Sequence, residues 1–123
     1  MPTVVHFEIP TDNLERAKKF YGGLFGWKFE SWKGPMEYWM ISTSNSKGDQ
    51  AVHGGMMKRQ QPQQGITNYI DVPSIEEYVS KVQKLGGRIV VPKSPIPTMG
   101  YFAVCIDTEN NTFAMWEENK NAK

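Results

Sequence analysis

Apolar and polar residues alternate at the start of the chain. Val5, Phe7 and Ile9 fall on one face of residues 3–9, and Val4, His6 and Glu8 on the other. Period two predicts a strand, ended by Pro10. The pattern then becomes helical: Leu14, Ala17, Phe20, Tyr21 and Leu24 share one face up to Phe25. Asp12 with Glu15 reads as a capping box, and Gly26 as the stop. Strands are expected over 27–32, 37–43 and 50–57, joined by the Lys33-Gly34-Pro35 turn and a polar hairpin loop at 44–49. Gly54-Gly55 marks a bulge or a close approach. Residues 58–65 are polar and aperiodic, a linker. The order then recurs: a strand over 66–72, Ser74 capping a helix over 75–85, Gly86-Gly87 ending it, and strands at 88–91, 99–107 and 112–117. A loop with three prolines fills 92–98, a turn fills 108–111, and the polar tail 118–123 is expected to fray.

The recurrence is a repeat. Shifting residues 3–62 by 61 positions puts Leu14 on Ile75, Leu24 on Leu85, Gly26 on Gly87, Ile41 on Phe102 and Val52 on Phe113, with no insertion. Each module reads strand, helix, strand, strand, strand. One domain over 1–123 follows, with module one at 3–57, the linker at 58–65 and module two at 66–118. The fold class is α+β: two tandem βαβββ modules, helices outside, forming an incomplete barrel around a concave cup.

Composition narrows the chemistry. Fourteen basic against 13 acidic residues give a net charge of +1, no field for nucleic acid. No apolar run approaches the roughly 20 residues of a membrane span. Cys105 is the sole cysteine, so no internal disulfide forms and a cytoplasmic setting is expected. It reads as a buried thiol. There is no phosphate-binding glycine loop and no nucleophile elbow.

The stretches Val5-His6-Phe7-Glu8-Ile9-Pro10, Leu14-Glu15-Arg16-Ala17-Lys18-Lys19-Phe20-Tyr21, Leu24-Phe25-Gly26-Trp27 and Asp107-Thr108-Glu109-Asn110-Asn111-Thr112-Phe113 resemble the vicinal oxygen chelate superfamily. Its members include glyoxalase I, bleomycin resistance proteins and extradiol dioxygenases. Within it the chain is most similar to an uncharacterised group related to lactoylglutathione lyase. The resemblance implies up to four metal ligands, from the first and last strands of each module. Those slots fall on His6, on its repeat partner Thr67, on Ala114 and on its partner His53, with Gly54 as the alternative to His53. Threonine and alanine cannot complete a set that wants three or four nitrogen, sulfur or carboxylate donors. The vacancy at Ala114 also removes the expected glutamate, which argues against glyoxalase I activity.

Glu8 shares the strand face of His6, so the pair offers a general acid and base. Tyr69 shares the face of Thr67, Trp116 that of Ala114, and Tyr101 lies opposite Met40 in the repeat. With His53, these aromatics are candidates for lining a small-molecule site. Several readings stay open. One is a metal-free binding or processing protein of the glyoxalase/bleomycin resistance type, holding a small organic molecule. A second is a divalent-metal lyase or isomerase (zinc, nickel, iron or manganese) using His6 and His53 with Glu8. The others are a metal-free acid–base enzyme built on His6 and Glu8, and a structural or partner-binding role. The resemblance further implies a homodimer.

Overall fold

The computed structural model describes residues 2–34, 36–43 and 51–123. The expected hairpin loop at 44–49, and Pro35 of the preceding turn, lie outside the described residues. Among the described residues are eight strands and two helices: β1 (Val4–Thr11), α1 (Leu14–Phe25), β2 (Lys28–Trp32), β3 (Tyr38–Ser42), β4 (His53–Lys58), β5 (Thr67–Asp71), α2 (Ile75–Lys84), β6 (Arg88–Ile96), β7 (Gly100–Ile106) and β8 (Thr112–Glu118). The fold is α+β with the βαβββ order twice. The chain divides into two compact units, His6–Ile66 and Thr67–Lys123 with the residues up to Val5. No helix is long and apolar enough to cross a membrane.

In the first unit the strands lie in the order β2-β3-β4-β1. β1 runs parallel to β4, with His6 opposite His53 and Glu8 opposite Gly55. β3 is antiparallel to both β2 and β4. One face packs on α1: Ile9, Ile41 and Met56 are buried beneath Leu14, Ala17 and Tyr21, with Phe7, Phe29 and Trp39 at the margin. Lys18 adds a tie, its ammonium 3.4 Å from the centre of the Trp39 ring. The other face carries the alternate members of each strand, polar groups together with Trp32, Met40 and Met57.

The second unit repeats the order as β5-β8-β7-β6. Val72, Ile75, Ala103, Cys105 and Met115 form its core, covered by Tyr78, Val79 and Val82 of α2. Thr3 exchanges hydrogen bonds with Asp71, which ties the N-terminal residues to this unit.

Several sequence expectations are corrected. Pro10 does not end β1. It stands one residue before the strand's end, opposite Met57, and its carbonyl still accepts from Arg59. Asp12 is not the cap of α1: Asn13 is, accepting from the Arg16 amide, while Asp12 pairs with Arg59 at 3.0 Å. The proline-rich loop at 92–98 is mostly strand, since β6 continues to Ile96 through register shifts around Val91 and Ser94. Proline is tolerated there because β6 is the outermost strand of its array and the irregular register spares ladder hydrogen bonds. The tail does not fray: Asn119 donates to the Met99 carbonyl, Thr98 to the Ala122 carbonyl, and Ala122 is buried.

The 61-residue offset also fails in detail. Glu8 corresponds to Tyr69, but their partners on the last strands are Gly55 and Ala114, which are 59 apart. The partners on the third strands are Met40 and Val104, which are 64 apart. The third and last strands of module two are thus displaced in opposite senses, and Ala114 corresponds to Gly55 rather than to His53.

Candidate functional site

The face of module one turned away from α1 gathers the titratable groups. Register places His6 and Glu8 of β1, His53, Gly55 and Met57 of β4, Tyr38 and Met40 of β3, and Glu30 and Trp32 of β2 on this one face. Strand alternation explains the segregation: their neighbours Phe7, Ile9, Ile41 and Met56 go to the helix side.

Tyr38 joins the set together. Its hydroxyl lies 2.8 Å from His6 Nε2 and donates to Glu8 Oε2 at 2.9 Å. The His6 and Tyr38 rings are nearly parallel, at 14° with centroids 6.4 Å apart, and Trp32 meets Tyr38 edge-on at 6.0 Å. A tyrosine has one hydroxyl proton. With that proton on Glu8, His6 Nε2 must be the donor to the phenolic oxygen. The direction His6 to Tyr38 to Glu8 is therefore fixed while Glu8 is ionised.

Burial holds the His6 pKa below its ordinary 6.5, and repulsion from His53 lowers it further. His6 is accordingly neutral at neutral pH. His53 is exposed, and its Nδ1 accepts from the Thr43 amide at 3.0 Å, which leaves the ring proton on Nε2 in the neutral form.

Gly54 and Gly55 make two close approaches on opposite faces, and the β1–β4 register passes through them without a bulge. A Cβ at Gly54 would meet the Phe7 ring at 2.5 Å; one at Gly55 would meet the Tyr38 hydroxyl at 1.8 Å. The sequence pointed to a close approach here without naming what approaches. Tyr38 was missed. Its signal is parity: it lies two residues from Met40, hence on the same face.

The slots of module two hold no such set. Thr67 and Ala114 are buried. Tyr69 lies opposite Ala114, and Trp116 opposite both Asp71 and Phe102. Tyr101 does not join them. It faces Glu117 in the register and packs on the α2 side, with Lys93 Nζ 4.4 Å from its ring centre. Val104 takes the place opposite Met40 that was expected for Tyr101, and Phe102 the place of Tyr38, because β7 is displaced from the 61-residue offset.

Among the described residues the donor set falls short of the three or four ligands a divalent-metal site wants. Among the described residues, no three His, Cys, Asp or Glu side chains come together as a binding group. His6 and His53 are register partners, and each has one ring nitrogen in a protein hydrogen bond, an arrangement that metal-ligating histidines also use.

Comparison with known proteins fits this architecture. A family model described as bleomycin resistance protein-like N-terminal matches residues 3–44. A glyoxylase-like domain-containing protein from Didymella fabae is 33% identical over 115 residues, spanning 88% of each chain. The chain belongs to the glyoxalase/bleomycin resistance protein/dioxygenase superfamily. Solved structures of the superfamily share its fold. A member from Vibrio splendidus 12B01 superposes with a TM-score of 0.71 at 12% identity, covering 96% of this chain and 100% of its own. Methylmalonyl-CoA epimerase from Mycobacterium tuberculosis gives 0.70 at 12% identity, covering 94% and 87%. In this superfamily setting, module one of the present chain carries His6, Tyr38 and Glu8 together, and the matching positions of Glu8, Gly55 and Tyr38 in module two hold Tyr69, Ala114 and Phe102.

Proposed function

We propose that this superfamily member binds and processes a small organic molecule with a metal-independent acid–base set: His6 as base, Tyr38 as relay and Glu8 as the carboxylate that receives or returns the proton. The observation that carries the reading is the single Tyr38 hydroxyl bridging His6 and Glu8. A neutral, partly buried imidazole suits general-base work near neutral pH. In module one His53 is the proposed ligand contact, supplying one N–H donor; in module two Tyr69 and Trp116 are proposed contacts, each offering an amphipathic ring. Homodimerisation belongs to the same reading.

The second reading is a divalent-metal lyase or isomerase on His6 and His53 with Glu8. The register pairing of the two histidines favours it. One experiment separates the two. Protein treated with EDTA is incubated in D2O with a panel of small carbonyl compounds, and loss of acidic C–H signals is followed by proton NMR. The acid–base reading predicts exchange that survives metal removal, disappears in His6→Ala and falls in Glu8→Gln by roughly the 10²–10⁴-fold typical of a general acid or base. Exchange that EDTA abolishes and zinc, nickel or manganese restores would establish the metal reading instead.

A further inference from the structure

We infer that Gly55 is a positioning residue: by lacking a side chain it lets the Tyr38 hydroxyl cross β4 and connect His6 to Glu8. The inference rests on the acid–base reading and deepens it. β4 lies between β3 and β1 in the array. Tyr38 on β3 must therefore reach over β4 to touch His6 and Glu8 on β1. It does so above Gly55, the register partner of Glu8. A methyl at Gly55 would sit 1.8 Å from the hydroxyl oxygen, 2.1 Å from Cζ and 2.4 Å from Cε1 of the same ring. All three of these nearest atoms belong to the Tyr38 ring, so that ring must move.

Module two supports the assignment by what it lacks. In matching register it has Tyr69 for Glu8, Ala114 for Gly55 and Phe102 for Tyr38. Where phenylalanine stands in place of Tyr38, a Cβ is present, and Ala114 is fully buried in a regular strand. Alanine is thus compatible with the strand at this register position. The connection has a further consequence. While Glu8 is ionised, it holds neutral His6 in the single tautomer with its proton on Nε2, because the Tyr38 proton is then committed to Glu8.

The test is long-range ¹H–¹⁵N NMR of the His6 ring, at a pH above its titration, in the substrate-free protein. Wild type is expected to show one fixed tautomer, Nε2-protonated. Tyr38→Phe and Gly55→Ala should each move both ring nitrogens toward the averaged shifts of exchanging tautomers. The double variant should move them no further than either single one. Wild-type shifts already averaged, or an Nδ1-protonated ring, would overturn the inference, as would Gly55→Ala spectra identical to wild type. If Gly55→Ala does not fold, adding Tyr38→Ala gives the new methyl the space of the ring and should restore folding; failure to restore it also overturns the inference. The measurement needs no substrate. An empty carbonyl screen with a fixed His6 tautomer would count against the acid–base reading alone, and the reverse against the Gly55 connection alone.

Discussion

Replacing His53 by alanine should raise the His6 pKa, because one of the two causes holding it down is the neighbouring imidazole. Burial, the larger cause, remains, so His6 should still titrate below 6.5. The sign for stability follows. A histidine whose folded pKa is depressed binds fewer protons folded than unfolded. Its contribution is complete above about 6.5 and is lost as pH falls through the lowered folded value. The urea midpoint of the wild type should therefore drop on acidification through this range, and that of His6→Gln should drop less. Urea unfolding series at several pH values check this, with a chemical-shift titration of His6 giving the pKa itself. The Cys105 thiol is a contrasting case: burial pushes it up to about 11, consistent with the inert core thiol read from its apolar strand. His6 and Glu8 were legible as a pair because alternation alone puts them on one face. Tyr38 was not, since a tyrosine in a strand of Trp, Met and Ile looks like any aromatic until the array order brings β3 across β4.

At the scale of elements, the capping of α1 gives a sharp comparison. Asn13 accepts from the Arg16 amide, whereas Asp12 bonds the partly exposed Arg59. Asn13→Ala should destabilise by about 1 kcal/mol, the usual worth of an N-cap. Asp12→Ala should cost less, since exposed ion pairs contribute about 0–1 kcal/mol. Denaturant unfolding of the two variants side by side checks the order; equal losses would contradict the cap assignment. Both residues favour N-caps, and a capping-box pattern selected the wrong one by a single position. The strand at Arg88–Ile96 was illegible for a different reason. Proline is read as a strand breaker, and only the array order shows that β6 is an edge where missing donors are tolerated.

Over the whole chain, the duplication was plain in the sequence and its limits were not. Helices and first strands keep the 61-residue offset because their landmarks are apolar and periodic. The third and last strands drift from it, and the drift decides which residues face one another. It moved Tyr101 to the helix side, put Phe102 on the face of Trp116 and matched Ala114 to Gly55. We propose that module one holds an acid–base relay rather than a metal centre. The most direct measurement is the ¹H–¹⁵N spectrum of the His6 and His53 rings in EDTA-treated protein, before and after one equivalent of zinc. The relay predicts that both rings keep their signals and that His6 stays Nε2-protonated. Stoichiometric, concerted shifts of both rings, absent in His6→Ala, would contradict it.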